Sequence, residues 1–448
     1  MLSFLYCLFS LNYDYVQLEH YGNCDPETKD QEYCIFHKPN KNEEEAREFW
    51  RKFLERFKPN IEKLGKDVER FVFENVVDCE GFVFPEIPSD VNFTFENAVF
   101  RAPVNFSHVK FCNLIDFSGS IFGKYANFSG AYFKGGSEFS YVIFEDFGDF
   151  SNAIFEGKTQ FDISRFRRGA TFSKAKFLTY YISFWDVKFF KEIDFTETIF
   201  GGTVHFINTT FLVSDIISFR KAVFKGETDF INSTFSDFVD FSGKLKEEKY
   251  KFYSKLYFSS VEFRKGLNID IPSEWFRHPQ AEAEACRVQR ISYEKEGKKD
   301  DADRMFVRER RALRRAIRLS AKEKLKASKS VKSKLKSILS LIKAYGSSSM
   351  EWLIADLTCE YGTNWKRPVL LWVIVVLSSS LIYWLTHSVP NAHDFWSNLY
   401  FSIVTATTLG YGDLHPVGWG RALASAEAIF GTFMWAVFLA VFARKYMR

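Results

Sequence analysis

The sequence predicts a multidomain chain: a β-helical solenoid, a charged helical connector, and an all-α membrane portion with two spans. Three observations predict it. Phe recurs at alternating spacings of five and six residues from position 95 to position 241. Charged stretches at 281–296 and 300–319 flank Gly297-Lys298-Lys299 and carry small residues at helical spacing. Two apolar stretches, about 368–387 and 422–443, are long enough to cross a hydrocarbon core of ~30 Å at ~1.5 Å per helical residue.

The Phe pattern is the largest feature. Of 448 residues, 52 are Phe, and 27 of them occupy the periodic positions between Phe95 and Phe241. Two spacings are longer, Phe177 to Phe184 and Phe211 to Phe219, and read as loop insertions. The resulting eleven-residue unit fits neither a strand period of 2 nor a helical period of 3.6. An eleven-residue repeat can mark a right-handed coiled coil. Here Gly, Asn, Asp, Ser and Thr fill the intervening positions, and all are poor mid-helix residues. The position two before each Phe is usually small (Ala98, Ser120, Ala126, Ala131, Ala153, Ala170, Ala175, Ala222) and the next is often Ser, as in Phe117-Ser118, Phe128-Ser129 and Phe150-Ser151. A large and a small inward residue on each short face suit a narrow solenoid of stacked coils.

This pattern, over roughly residues 80–243, resembles the pentapeptide-repeat family. The resemblance implies a right-handed, four-sided β-helix. About 7 coils at a strand spacing of ~4.8 Å make a rod on the order of 30 Å long. Every second unit has one residue more than the family's five. Some members of that family imitate DNA, which needs a strongly acidic surface. Residues 91–241 carry 17 Asp and Glu against 15 Lys and Arg, which argues against that role.

Ahead of the repeat lie an amino-terminal segment, residues 1–40, and a helical segment, residues 41–78. Residues 1–10 are apolar but too short to span, with no basic start and no cleavage site, and read as a packed or frayed terminus. His20, Cys24, Cys34 and His37 form H-x3-C-x9-C-x2-H, two close pairs that can meet around tetrahedral zinc. The competing reading is unrelated buried Cys and exposed His. The seven scattered cysteines make no disulfide framework and suit a reducing compartment.

The connector, residues 244–345, is expected to hold a helical hairpin, with Gly297 as a stop and Asp300 or Asp301 as a start. The pair resembles a tetratricopeptide-type hairpin. From Arg308 to Lys343 there are fourteen Lys and Arg and two Glu, interrupted by Leu325, Leu335, Ile338, Leu339, Leu341 and Ile342. Two readings compete: a solvated basic face, or an amphipathic segment on anionic lipid. No aromatic residue interleaves with the run before Tyr345, so nucleic acid is not an expected partner.

Residues 346–448 form the membrane portion. Basic residues flank the spans on one side, Lys366 and Arg367 before the first and Arg444, Lys445 and Arg448 after the second. By the positive-inside rule both termini are cytoplasmic and the chain is a multi-pass protein of the cell membrane. Between the spans, Asp394 to Thr407 reads as a short helix with Asp394 as N-cap, followed by Thr407-Thr408-Leu409-Gly410-Tyr411-Gly412-Asp413. In a Thr-Val-Gly-Tyr-Gly loop, rings of carbonyls replace the water around potassium. Leu409 stands at the Val position. Gly410 and Gly412 permit the backbone angles, Thr408 adds a hydroxyl ring, and Tyr411 braces the loop.

The ordered set over residues 366–448 resembles two-transmembrane potassium channels. The resemblance implies a homotetramer, with one loop per chain and K+ as permeant ion. It makes Thr408, Leu409, Gly410, Tyr411 and Gly412 the selectivity filter, with Thr407 and Asp413 in support. Gly431 falls where the family has a hinge glycine; the alternative is a packing glycine. Glu427 supports the rear of the filter or lines the cavity. No hydrolase, kinase or redox constellation is recognisable, so the chain is not expected to be an enzyme. A cytoplasmic repeat domain placed before the pore is expected to gate or regulate it by binding a ligand or protein. The competing class is a membrane-tethered scaffold.

Overall fold

The computed structural model describes residues 23–27, 33–63, 69–213, 216–328 and 330–446. The chain divides into two compact units, Met1–Ala312 and Leu313–Arg448.

The first unit is a four-sided β-solenoid with a helical cap at each end. Its strands are mostly two residues long and stack into four sheets of ten, nine, seven and seven strands. Apart from the antiparallel pairing of Asn60–Lys63 with Glu69–Phe73, the strand pairing is parallel. Register advances 22 residues per coil where the five-six rhythm is kept, as in Ile143↔Arg165. It advances 23 across the Phe177–Phe184 gap (Arg165↔Lys188) and 24 across the Phe211–Phe219 gap (Thr210↔Thr234). Both long gaps are therefore corner insertions that leave the ladders in step.

Why the spacing alternates is visible at the corners. In each five-residue step the second residue after Phe has positive φ: Asn97, His108, Gly119, Gly130, Tyr141, Asn152, Ile163 and Lys174 recur every eleven residues. The amide three residues after that Phe closes the turn, as in Ala98 N–H to Phe95 C=O at 3.1 Å. This is a tight β-turn with a left-handed third residue. The six-residue steps turn through a wider bend, in which, among the described residues between Phe95 and Phe241, Gly169 (φ +108) is the exception to negative φ. Two corner types thus alternate around each coil. Ile163, with φ +62, is β-branched and strained there.

The polar residue before Phe also has a structural reason. Asp116 Oδ1 accepts from the Ser118 amide at 2.8 Å, and Asn127 Oδ1 from the Ser129 amide at 2.9 Å. The Asp/Asn-Phe-Ser pattern is therefore a local side-chain cap on the corner. Inside, the rings stack coil upon coil: Phe122, Phe144 and Phe166 stand 4.9 and 4.6 Å apart with planes 7° and 5° from parallel. Full burial of each ring contributes on the order of 1.5–3 kcal/mol before entropy.

The ladders do not stop at residue 243. Phe252, Phe258 and Phe263 continue the stacks on Phe224, Phe230 and Phe235, and the last strand is Leu267–Asn268. The boundary expected at residue 243 falls too early, because the loop from Gly243 to Tyr250 hides the rhythm. Strand pairing also starts before residue 79, at Glu69–Phe73 and Val77–Asp78.

Helix α1, Glu43–Phe57, starts with a capping box between Asn42 and Glu45. It lays Phe49, Trp50 and Phe53, all fully buried, over Phe84, Phe93 and Phe95. Helix α2, Pro279–Lys295, covers the other end. Its Gln289 side chain bonds the Ile269 amide at 2.6 Å and the Leu267 carbonyl at 2.9 Å, satisfying the last strand's edge. Gly297, at φ +75, separates α2 from α3, Lys299–Ala327.

In the second unit, α4 is Val331–Glu351, and a single π-turn, Trp352–Leu357, follows it. Then come α5, Lys366–Thr386, the short α6, Phe395–Ala406, and α7, Gly420–Tyr446. Helices α5 and α7 are long and apolar enough to cross a membrane.

Candidate functional site

The loop after α6 is built from both ends. At its start, Asp394 has extended backbone and Oδ1 accepts from the Ser397 amide at 2.6 Å, the N-cap expected from the sequence. Asn398 is fully buried and its Nδ2 donates to the carbonyls of Ala392 (3.0 Å) and Asp394 (2.8 Å), which fixes the approach to the helix. At its end, Thr408 N–H reaches Thr405 C=O and Leu409 N–H reaches Val404 C=O, both at 3.0 Å. That is a Schellman closure with Thr408, φ +60, in the left-handed position glycine usually takes.

Positive φ then recurs at Gly410 (+62) and Gly412 (+79), but not at Leu409 or Tyr411. A backbone alternating in hand turns successive peptide groups the same way, whereas an extended strand points them to alternate sides. Carbonyls aligned in this way can form one ligand row for a cation. The C-terminal end of α6 adds the negative end of its dipole at the same place. Tyr400 of α6 lies near Asp413, at the far end of the loop.

Behind the loop lies Glu427, 2% exposed, on α7. Its carboxylate accepts from Tyr383 Oη of α5 at 2.9 Å and from Ser402 Oγ of α6. Ser402 Oγ also lies 2.9 Å from the Val376 carbonyl. Glu427 therefore joins all three helices among polar partners, as a buried carboxyl must. Four residues on, Gly431 lies against the end of α6: a Cβ there would sit 2.0 Å from the Ala406 carbonyl oxygen. Tyr383 and Ser402 carry no sequence signal that separates them from ordinary packing residues; only the need of Glu427 for partners could have prompted a search for them.

A second polar group stands between α4 and α5. Arg314 donates to Asp356 Oδ2 at 2.8 Å and to Tyr361 Oη at 2.9 Å. Arg367, at the start of α5, reaches Glu360 Oε1 and the Asp356 carbonyl, each at 3.0 Å. Arg444, at the end of α7, donates to the Tyr361 carbonyl at 3.1 Å. Burial, with Glu351 nearby, pushes the Tyr361 hydroxyl up to about 12, so it stays a protonated donor. The sequence reading missed this group, because residues 352–362 show neither periodicity nor motif.

In the first unit, Cys24, Cys34 and His37 present their donor atoms within 4.8 Å of one another. His20, the fourth residue of the expected set, lies outside the described residues.

Comparison with known families gave two matches. An ion channel family model covers residues 370–448, and a model of pentapeptide repeats in nine copies covers residues 95–143. No curated protein and no solved structure matched. The two matches fall on the pore segment and on the Phe-stacked coils. The chain thus combines pentapeptide repeats, folded as a β-solenoid, with a carboxyl-terminal segment that matches an ion channel family and holds two helices long and apolar enough to cross a membrane.

Proposed function

We propose that the protein is a potassium-selective channel subunit that works as a homotetramer, with Thr408, Leu409, Gly410, Tyr411 and Gly412 as its filter. The observation that carries this reading is the alternation of φ at 408, 410 and 412, directly after a helix that ends on the loop. Rings of carbonyls from four chains replace the hydration shell of K+. Thr407 and Asp413 hold the loop from its two ends, and Glu427 fixes the helix behind it.

The tetramer is supported by surface that one chain leaves bare. Leu409, Tyr411, Ile429 and Trp435 are all more than half exposed. A largely apolar groove of about 550 Å³, lined by Trp372, Ala406, Leu409, Met434, Trp435 and others, opens beside the filter entrance and suits a neighbouring subunit. The basic flanks of α5 and α7 support a cytoplasmic location of both termini. On α4, exposed Leu335, Ile338, Leu339 and Ile342 share one face while Lys332, Lys334, Lys336 and Lys343 supply charge, which suits an anionic lipid surface. Gating or regulation by the cytoplasmic repeat domain passes through α3, whose Arg314 holds the segment tied to the cytoplasmic ends of α5 and α7. Zinc, held at the amino-terminal cysteines, belongs to this reading as a structural group and not as a permeant ion. Catalysis has no part in it.

The test is potassium flux from vesicles reconstituted with the full chain. Flux is expected from the native protein and lost in Gly410→Ala, which forces a Cβ onto a left-handed filter residue. Native protein that assembles but passes no K+ would count for the scaffold reading instead.

A further inference from the structure

The described residues before α1 are held by side chains of α1 and by the first coils. Lys52 of α1, nearly buried, donates to Asp25 Oδ2 at 2.8 Å, and Arg56 of α1 donates to the Asn23 carbonyl at 2.6 Å. Cys24, between those two anchors, is thereby set against the capped end of the solenoid. Twelve residues on, Phe36 stacks on Phe82 at 4.4 Å with planes 5° apart, and its carbonyl accepts from the Val83 amide at 2.8 Å. Cys34 and His37 flank that ring and are 1% and 0% exposed.

The donor atoms converge. His37 Nδ1 is 2.8 Å from Cys34 Sγ and 3.7 Å from Cys24 Sγ. Sulfur and nitrogen ligands of tetrahedral zinc, at ~2.3 and ~2.0 Å from the ion, stand roughly 3.5 Å apart. One pair already has that spacing, and the other opens by roughly 0.7 Å to reach it. The far ring nitrogen settles the tautomer: His37 Nε2 faces the Glu80 carbonyl at 3.3 Å. A carbonyl can only accept, so Nε2 carries the hydrogen and the Nδ1 lone pair points at the two sulfurs. Orientation of a ligating imidazole by a backbone carbonyl is the usual outer-shell arrangement. The ring is also held edge-on to Phe82, with planes at 89°.

Charge agrees with the geometry. Two thiolates and a neutral imidazole around a divalent ion sum to zero, which is the form that a buried site tolerates. Sulfur-rich donors with one imidazole select zinc over magnesium or calcium.

We infer that Cys24, Cys34 and His37 bind a zinc-class ion that clasps residues 23–25 and 34–37 onto the first coils, closing the amino-terminal end of the Phe stack. Such an end needs closure, because the terminal rings and strand edges have no further coil to cover them. The clasp is independent of the conduction reading, since none of its residues belongs to the ion-channel domain.

The test uses the full chain, purified in detergent under reductant without a metal-affinity tag. Elemental analysis is expected to find zinc at about one ion per chain. Growth with cobalt in place of zinc is expected to give the absorption of tetrahedral thiolate-bound cobalt. Cys34→Ser is expected to lose at least nine-tenths of the zinc and to lower the unfolding midpoint of the solenoid. Gly410→Ala, which tests the pore, is expected to keep the metal in full. The inference is overturned by native protein with sub-stoichiometric zinc and no cobalt-thiolate band, by Cys34→Ser protein that keeps its zinc, or by a Cys24–Cys34 disulfide under reductant. Should Cys34→Ser fail to fold, the native cobalt spectrum decides alone.

Discussion

Gly431 and Glu427 lie one helical turn apart on α7 and contact the same element, the short helix α6 that ends at the loop from Thr408 to Gly412. Gly431 admits the Ala406 carbonyl where any side chain would collide, with a Cβ 2.0 Å from that oxygen. Gly431→Ala must push α6 and α7 apart at the filter's base. Potassium flux is expected to fall more than tenfold while the far-ultraviolet circular dichroism of the solenoid is unchanged; retained flux would show that this contact does not position the filter. In the sequence, Gly431 stood out by the resemblance to a family with a hinge glycine there, and Glu427 as an acid within an apolar span. The sequence could not say what faced them. Ser402 and Tyr383 read as ordinary residues of a short helix and a span, and their part follows only from packing around Glu427.

The solenoid and its caps show what spacing can and cannot reveal. The rhythm of Phe made the stacked coils and both insertions readable, because one ring per face is forced by the narrow core, while the side count followed from the resemblance to pentapeptide repeats. The positive-φ corners were not readable, since Tyr141, Ile163, Lys174 and Glu197 stand where Gly or Asn would have advertised them. Beyond Phe241 a loop breaks the rhythm, and there the chain hides a buried charge. Lys251 is fully buried and donates to the carbonyls of Phe219 (3.1 Å) and Ala222 (2.9 Å).

Burial pushes the Lys251 ammonium down to about 7, and Asp240 only partly opposes this. In the unfolded chain a lysine titrates near ~10.4. Between these values the unfolded state binds more protons, so stability rises with pH from about 7 toward ~10. Below about 7 the cost of the buried charge is present in full. Lys41, also pushed down to about 7 by burial, acts with the same sign. Lys251→Met is therefore expected to raise the solenoid's unfolding midpoint at pH 6, with a gain that shrinks steadily toward pH 10. A gain that grows with pH would contradict the buried-ammonium account.

At the scale of the molecule, what remains is how the repeat domain could act on the ion-channel domain. Arg314 and Asp356, 13% and 6% exposed, form a buried ion pair at 2.8 Å. Removing one partner of such a pair typically costs 3–5 kcal/mol. Through Tyr361 and Asp356 the pair also meets Arg444, at the end of α7, and Arg367, at the start of α5. Arg314→Gln is expected to change open probability several-fold in single-channel recordings while ion preference stays as in the native protein. Unchanged gating would remove this segment from the coupling path, and altered ion preference would mean the substitution had disturbed the filter itself. None of this was legible in sequence, where residues 352–362 are a short stretch between two helices.

The central claim is that the loop from Thr408 to Gly412 selects potassium. The most direct measurement is the reversal potential of the full chain in a planar bilayer, with K+ on one side and Na+ on the other. The account predicts a potential close to the K+ limit, meaning a permeability ratio of tens or more in favour of K+. A reversal potential near zero, with both ions carrying current equally, would contradict it.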